Sequence, residues 1–366
     1  MGGVVTVLVA SDQGRRRQKA GRACPCALMN GISGIGTGFS CSIPSYDPIQ
    51  IIDYLTNKLK GGNVKDSVFE PYYEGFKGTI AQIEDKKYLV KGCYEKISDD
   101  KIRITELPIG TWTMPYTAFL EGLLDGGVDK KGKKIAPSIR DFTSVCTEVN
   151  VDFTVVFPQG KLSELEASQD ANGCNGVEKL LKLFTTISTT NMHMFNAECK
   201  LHKYNDVNEI IDDFFGVRMA LYQKRKDYLV KDMERKLMRL SNRARYIQEN
   251  LAGTIDLRRK KSDEVNAMLL SKKYDKLDGD YKYLIKMPMD SVTQENVEQI
   301  MKEKENTETE LNVLKKTTLE KMWLSELDTL KSEYGKYKLK REKIQAGEIV
   351  KQGKKVTKTK VVRKKK

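Results

Sequence analysis

The chain has 366 residues, of which 39% are hydrophobic and 31% charged, and it carries a formal net charge of +14. That length accommodates two or three domains, each large enough to bury a core of its own. No apolar run approaches the length that spans a bilayer, which argues against a membrane protein, and seven cysteines without paired spacing predict free thiols rather than disulfides or a zinc site.

The positive charge is concentrated at the C-terminal end of the sequence. Residues 336–366 contain 14 Lys and Arg against 2 Asp and Glu, so this segment carries +12 of the net charge. Such a basic tail is predicted to be disordered when free and to suit phosphate backbones, other polyanions or nuclear import. The charge by itself does not show that the folded part of the chain binds nucleic acid.

Four segments precede the basic tail. Residues 1–29 form an Arg-rich opening that matches no pattern, and residues 30–48 are rich in glycine. Residues 49–205 alternate short β-rich runs with Gly and Pro breaks and amphipathic helices, which predicts a mixed α and β domain. Residues 206–335 show helical periodicity throughout. The predicted fold class is therefore α+β.

The helical segment contains two long apolar stripes. The first recurs at three-, four- and seven-residue steps over residues 207–251, and the second runs over residues 297–314 and on toward residue 330. Between them lies an aromatic run, Tyr-Lys-Tyr-Leu-Ile at residues 281–285. We predict an antiparallel coiled-coil arm with a small globule at its tip. Because so small a globule lacks the surface for a core, its aromatic face is expected to pack on a second copy of the chain.

The glycine-rich segment places Gly31, Gly34, Gly36 and Gly38 within eight positions. The backbone there must approach a neighbour closely or adopt dihedral angles that side chains disfavour. The spacing does not match a dinucleotide-binding Gly-x-Gly-x-x-Gly, and the Gly-Lys-Ser/Thr of a P-loop is absent. Two interpretations stay open: a purely structural turn, or a loop whose β-branched Ile35, framed by glycines, enters a base step of DNA as a wedge.

Residues 30–40, followed by Ile43 and Pro44, resemble the signature loop of the eukaryotic-type type IIA DNA topoisomerases. Six further segments resemble elements of that family in the family's own order, at residues 71–80, 104–113, 187–192, 240–247, 283–289 and 322–328. Residues 71–80 contain Phe-Lys-Gly-Thr-Ile, and residues 104–113 contain Glu-Leu-Pro-Ile-Gly-Thr-Trp-Thr. One such match would be weak, whereas seven in order are specific.

The resemblance implies a domain order and a DNA-binding surface. Residues 30–48 would be a DNA-bending loop at the end of a winged-helix region, residues 49–205 a tower-like domain, and residues 206–335 a coiled-coil arm with the dimer gate. Ile35 would intercalate and bend the DNA. The other implied DNA contacts are Lys77, Trp112, Lys182, Thr185, Thr186, Ser188, Thr189 and Asn191.

Two of these assignments have structural alternatives. Trp112 is equally compatible with an ordinary core aromatic, since tryptophan is usually largely buried. The polar residues of 182–191 are compatible with an edge strand that binds nothing. The two histidines, His193 and His202, match no functional element of the family.

The resemblance also implies parts that this sequence is not expected to supply. In the family, the nucleophilic tyrosine, its arginine neighbour and the acidic triad that holds Mg²⁺ precede the glycine-rich loop, and ATP binds further upstream. No tyrosine precedes Tyr46 here, and Tyr46 follows the loop in a different context. We therefore expect no catalytic residue, cofactor site or metal ligand in this chain. It is expected to be inactive alone, with the ATPase and metal-binding segments supplied from upstream.

The expected function is that of a fragment of an ATP-dependent type II DNA topoisomerase in the nucleus. The fragment would bind double-stranded DNA and form a homodimer through its C-terminal gate. The short C-terminal extension resembles topoisomerases of large DNA viruses, which makes a viral factory or a virion the alternative location. Two other functions stay open, a non-catalytic dimeric DNA-binding scaffold derived from the same core and a coiled-coil protein unrelated to DNA. Salt-dependent affinity for duplex DNA distinguishes the last of these.

Overall fold

The computed structural model describes residues 23–64, 67–126, 136–255, 261–277, 279–288 and 294–347. The described parts of Met1–Phe214 and Leu327–Lys366 form one compact unit, and those of Phe215–Glu326 form a second. The Arg-rich opening up to residue 22 and the tail from residue 348 lie outside the described residues. Among the described helices, none has the length and apolar character needed to cross a membrane.

The first unit mixes helices and strands. Its strands are β1 (Ile32–Gly36), β2 (Phe39–Ile43), β3 (Thr79–Glu84), β4 (Lys87–Lys91), β5 (Cys93–Ser98), β6 (Lys101–Glu106), β7 (Asp141–Ser144), β8 (Phe153–Val156), β9 (Phe184–Ser188), β10 (His193–Phe195) and β11 (Leu201–Lys203). Its short helices are α1 (Cys26–Asn30), α2 (Pro48–Leu59), α3 (Thr113–Asp125), α4 (Lys161–Ala167) and α5 (Gly176–Leu180). The mixed α and β character predicted for this part of the chain is confirmed.

The described strands pair antiparallel, in the orders β1-β2, β10-β11, β3-β4-β9 and β5-β6-β8-β7. The four-stranded sheet carries the main core. In β6, Ile102 and Ile104 are fully buried, while Arg103 between them points outward and binds Asp152 at 2.6 Å. This two-residue alternation is the pattern that a sheet with one covered face requires. Helix α3 packs on the same core through Tyr116 and Leu120.

The second unit is helical. Its elements are the greater part of α6 (Val207–Leu251), then α7 (Ser262–Ser271), α8 (Lys282–Ile285) and α9 (Gln294–Lys316), and the start of α10 (Leu319–Gln345). The predicted second stripe is therefore divided between two helices, because the chain leaves helical structure between residues 316 and 319. The 45-residue α6 is about 68 Å long at the usual 1.5 Å rise per residue.

Helices α6 and α9 lie side by side and run in opposite directions. Ala244 and Ile247 of α6 pack against Val297 and Ile300 of α9. Far along the same pair, Lys226 donates to the carbonyl of Thr317 at 2.7 Å. Low sequence numbers in α6 thus meet high numbers in α9, which is the antiparallel pairing predicted from the stripes.

The aromatic run at the tip of the arm differs from its prediction. Tyr281 and Tyr274 are buried together with Leu269 and Leu284 in one apolar cluster. The globule therefore has a core of its own, made by α7, α8 and the end of α6. The expectation that the run packs on a second copy of the chain is therefore wrong for Tyr281, whereas Tyr283 is only partly buried and its contact with a second copy stays a prediction.

The end of α10 also differs from its prediction. The helix continues to Gln345, so residues 336–345 are helical rather than part of a disordered tail. This stretch is anchored in the first unit, where Lys338 lies 5.6 Å from the ring of Tyr72 and Asn150 donates to the carbonyl of Gln345 at 3.5 Å. Tyr334, one turn earlier, donates to the carboxylate of Glu74. These contacts explain why residues 336–345, which were predicted to belong to a disordered tail, are helical.

We predict that two C-terminal truncations differ in stability. A chain ending at Gly335 loses the contacts of Lys338 and Gln345, whereas a chain ending at Gly347 keeps them. The melting temperature of the shorter chain, followed by circular dichroism, should be lower by a few degrees, since losses of about 1 to 2 kcal/mol produce shifts of that size. Equal melting temperatures would mean that the last turns of α10 contribute nothing to the fold.

Candidate nucleic-acid interface

The glycine-rich segment forms a β-hairpin rather than an irregular loop. Strands β1 and β2 pair in the register Gly36 with Phe39 and Ile35 with Ser40. A two-residue turn connects them, and Gly38 in that turn has a φ of +83°, which a side chain would disfavour. Gly36 is required for another reason, because a Cβ there would lie 2.6 Å from the ring of Phe39.

The hairpin has an inner and an outer face. The inner face carries the buried Cys41 and Ile43, next to the ring of Phe39. The outer face is formed by residues that alternate with these, namely Ser33, Ile35, Ser40 and Ser42. Among them Ile35 is the apolar exception, and its side chain is 94% exposed. The alternation thus places a large β-branched side chain where a strand normally presents a polar one.

Asn191 joins the hairpin to the strand that follows β9. Its backbone carbonyl accepts a hydrogen bond from the amide of Ser42 at 2.8 Å, and its side-chain Nδ2 donates to Oγ of Ser40 at 2.8 Å. Further along, the rings of Phe39 and Phe195 meet edge to face at 5.7 Å. Ser40 is the cross-strand partner of Ile35, so Asn191 and Ile35 lie on one surface.

Strand β9 presents several of the predicted polar residues. It pairs with β4 on one side and, within the described residues, with no strand on the other. Thr186 and Ser188 are exposed, Thr185 is half-buried, and Ser188 Oγ lies 2.9 Å from Oγ1 of Thr190. An edge strand with exposed hydroxyls can bind phosphate oxygens without reading base sequence.

Thr189 does not fit the predicted set. Its side chain is only 7% exposed, and its hydroxyl donates to the carbonyl of Lys86 at 3.4 Å. The backbone amide of Thr189 donates to the same carbonyl at 2.9 Å. Thr189 therefore holds the end of β9 against the turn before β4, and the prediction that it contacts phosphate is wrong.

Trp112 and Lys182 lie together at a second part of the surface. Trp112 precedes α3 and is 76% exposed, which excludes the core alternative. With Lys182, Phe119 and Pro115 it lines a shallow depression of about 300 Å³. The Lys182 ammonium lies 4.4 Å from the centre of the Phe119 ring.

The local structure explains how Lys182 is presented. Leu181 and Leu183, its two neighbours, are fully buried, so Lys182 must point outward. Its φ of +51° lies in the left-handed region, which costs a residue with a side chain about 1 kcal/mol. A capping box of Asn175 and Glu178 fixes the helix just before this bend. Strained backbone of this kind is often found at functional sites.

Lys77 has a separate set of partners. Its ammonium donates to Oδ1 of Asn150 at 3.2 Å, and its backbone amide donates to a carboxylate oxygen of Glu106 at 3.3 Å. Neither partner belongs to the predicted DNA-binding set. The structure thus places Ile35 near Asn191, and Trp112 near Lys182. Strand β9 lies between these two groups. Lys77 lies apart from both and contacts Asn150 and Glu106 instead.

The sequence analysis did not single out two residues of this surface, Ser40 and His193. Ser40 bonds Asn191, and Nδ1 of His193 lies 2.7 Å from Oδ1 of the same amide. The alternation of Ser40 and Ser42 with apolar neighbours was a usable sign of an outward face. His193 matched no motif, although its contact with Asn191, two residues earlier, is local in the sequence.

The described residues contain no cluster of three or more His, Cys, Asp or Glu able to hold a metal ion. Tyr46 is 1% exposed, and burial raises the pKa of its hydroxyl far above the usual value. The surface has an apolar wedge, hydroxyls, an indole and ammonium groups, which suit binding and distortion of a polyanion.

The comparisons with known proteins agree on one family. A family model that describes the A-subunit of DNA gyrase/topoisomerase IV matches residues 22–328 of the chain. DNA topoisomerase 2 of Arabidopsis thaliana is 33% identical over 364 residues, covering 88% of this chain and 24% of that protein. DNA topoisomerase 2 of Acanthamoeba polyphaga mimivirus is 30% identical, covering 85% of this chain and 29% of that protein. The chain thus spans about a quarter of the length of these curated relatives.

A solved structure gives the same assignment. The crystal structure of the Plasmodium falciparum topoisomerase II DNA-binding, cleavage and re-ligation domain matches with a TM-score of 0.75 at 30% sequence identity. The match covers 89% of this chain and 44% of that one. The agreement therefore includes both the helical and the mixed parts of the chain.

The packing of the hairpin predicts a difference in thiol reactivity. Burial raises the pKa of the Cys41 thiol, so little of it is the reactive thiolate at neutral pH, whereas Cys199 is exposed. Alkylation of the native protein, followed by mass spectrometry, should modify Cys199 well before Cys41. In denaturant the two should react alike. Equal rates in the native protein would show that the hairpin does not pack through its inner face.

Replacing Lys182 tests the second part of the surface. Lys182→Met keeps the length of the side chain but removes the charge, so binding to duplex DNA should weaken. The slope of log K against log salt should become shallower by about 0.9, the value for one phosphate on duplex DNA. Lys161→Met is the matched control, since Lys161 is exposed and paired with Glu164 at 3.0 Å. An unchanged slope for Lys182→Met would remove Lys182 from the interface.

Proposed function

Because the chain belongs to the DNA gyrase/topoisomerase IV A-subunit family, we propose that it is the DNA-bending and dimerising part of a type II DNA topoisomerase. The family predicted from the seven ordered motifs is thereby confirmed. In the proposed activity, the intact enzyme passes one duplex through a transient double-strand break in another. This chain would hold and bend the duplex that is cut.

The exposed position of Ile35 is the observation that carries this proposal. Burying an isoleucine side chain is worth about 1.5 to 3 kcal/mol, and the hairpin leaves it in water. Inserting it between two base pairs recovers that free energy while unstacking the step and bending the helix. Its serine neighbours, Ser33, Ser40 and Ser42, are small and polar, so they allow the hairpin to approach a groove closely.

The polar surface supports the same proposal by offsetting the cost of bending. Smooth bending of a site of this kind costs about 1 to 6 kcal/mol, which phosphate contacts along the curved duplex must supply. Strand β9 separates the Asn191 end of the surface from the Lys182 end. Its five residues span about 17 Å at 3.3 Å per residue. That length is about half a helical turn of DNA, so both ends can meet one duplex.

We further propose that the second unit supplies the dimer contact. Tyr274 and Tyr281 of its globule are buried, so a partner would use other side chains. Among the described residues on or beside the globule, Leu251, Leu270 and Ile285 are exposed. A homodimer would cover such side chains, in keeping with the closed symmetry of most soluble oligomers.

The cleavage chemistry is assigned to other parts of the enzyme. The described residues have no metal cluster, and Tyr46 is buried, so we derive no catalytic step from them. The nucleophilic tyrosine, the Mg²⁺ ligands and the ATP site are proposed to belong to segments outside this chain, and the chain alone is proposed to be inactive. Relaxation of supercoiled plasmid by this chain alone, with Mg²⁺ and ATP, would overturn that assignment.

A second candidate function is a non-catalytic dimeric DNA-binding scaffold built on the same core. The described residues are compatible with it, since they contain no cluster able to hold a metal ion and Tyr46 is buried. The two candidates differ in what happens when the protein is joined to a topoisomerase segment with tyrosine and metal ligands. Restored relaxation supports the enzyme, and unchanged inactivity supports the scaffold. We propose the nucleus as the location, with a viral factory or virion as the alternative.

The wedge is tested by replacing Ile35 with alanine. Ile35→Ala should lower the bend of a short duplex, measured by energy transfer between its labelled ends at saturating protein, because the smaller side chain cannot unstack a base step. Sedimentation should show the same oligomer as the parent chain.

The matched control is Ile97→Ala, which removes an exposed isoleucine from β5. It should leave the bend unchanged. If Ile35→Ala bends DNA as strongly as the parent protein does, the proposed role of the hairpin is refuted.

A further inference from the structure

The direction of the Ile35 side chain is set by residues other than Ile35. With 94% of its side chain exposed, the isoleucine makes few contacts that could orient it. A two-stranded hairpin is also only marginally stable by itself. The angle at which Ile35 meets a partner must therefore come from the way the hairpin is attached to the rest of the first unit.

The attachment on the outer face is made by the Asn191 side chain. The inner face is held by the ring contact of Phe39 with Phe195 and by the buried Cys41. On the outer face, Nδ2 of Asn191 donates to Oγ of Ser40 at 2.8 Å. Because Ser40 is the cross-strand partner of Ile35, their side chains leave the hairpin about 5 Å apart.

His193 contacts the other end of the Asn191 amide. Its Nδ1 lies 2.7 Å from Oδ1 of Asn191. A carbonyl oxygen can only accept, so Nδ1 must carry the proton in this arrangement, and the amide nitrogen is turned toward Ser40. The amide oxygen and one N–H of Asn191 are thus both engaged within the protein.

We propose that Asn191 is a positioning residue for Ile35, acting through Ser40, and that His193 holds the amide in the orientation this requires. The inference deepens the proposed DNA-bending function and rests on it. It replaces the predicted contact between Asn191 and phosphate, because the side chain already has partners on the protein. Loss of Asn191 then changes the bend that the protein produces more than the affinity with which it binds.

Two substitutions at Asn191 separate the roles. Asn191→Leu keeps the shape of the side chain and removes both hydrogen bonds. Asn191→Asp lets the carboxylate accept from His193 Nδ1 and from the Ser40 hydroxyl, but it repels phosphate. A positioning role predicts that, at saturating protein, the Asp variant bends the labelled duplex nearly as the parent does, while the Leu variant bends it as weakly as Ile35→Ala. A phosphate contact predicts the opposite order, with Asp the weaker.

The pathway through Ser40 is tested by combining variants. Ser40→Ala should lower the bend as Asn191→Leu does, and the double variant should bend no less than either single one, since both remove the same bond. In the Ile35→Ala background, Asn191→Leu should have no further effect. Additive losses in either combination would overturn the inference. Dissociation constants should change by no more than about fivefold, the size expected for one neutral hydrogen bond.

The controls distinguish this inference from the function on which it rests. Glu198→Gln alters an exposed residue between β10 and β11, outside the proposed DNA-binding surface, and should leave the bend unchanged. Melting curves of every variant show whether the first unit still folds, and Ser40→Ala serves as the milder substitution if Asn191→Leu does not fold. An unchanged bend in Ile35→Ala would overturn the DNA-bending function itself. A reduced bend in Ile35→Ala with an unchanged bend in Asn191→Leu would overturn only the positioning role.

Discussion

A large apolar side chain held in water by a short hairpin is the constraint on which the rest of this surface depends. Ile35 would gain free energy by turning inward, and the alternation of β1 and β2 prevents it. That alternation is fixed by the inner face, where Ile43 is buried. It is fixed also at Gly31, whose φ is +68° and where a Cβ would meet the carbonyl of Ile43 at 3.0 Å. The hairpin can therefore present its isoleucine because its other face is firmly packed.

The same unit supplies two kinds of contact with distinct physical roles. In the proposed function, Ile35 would act on the stacking of base pairs, and its effect would depend on how easily a step unstacks. The hydroxyls of β9 and the ammonium of Lys182 would act on phosphates, which are the same at every step. Under that proposal, the protein would select DNA by deformability more than by base identity.

The exposure of a site residue was predictable where it depends on neighbouring residues in the sequence. It was not predictable where it depends on packing against distant segments. Glycines at alternate positions around Ile35 marked a special loop there, whereas the structure shows that this loop is a hairpin whose alternation exposes Ile35. Thr189 shares the composition of its neighbours, yet it is buried because the turn at Lys86 covers it. The sequence left undecided whether Trp112 is buried or exposed, and in the structure it is exposed at the start of α3. The family assignment rests on ordered motifs, and the comparisons confirm it independently of these details.

By itself, the sequence determined the mixed character of the first unit, the long helices and the family to which the chain belongs. These depend on periodicity and on residues that are near neighbours in the chain. Only the tertiary structure decided that the tyrosines of the globule form its core, that α10 continues to Gln345, and that Asn191 bonds Ser40. Each of these depends on groups far apart in sequence that folding brings within a few ångströms. The sequence shows which residues are apolar or charged. The residues that cover each of them are determined only by the tertiary structure.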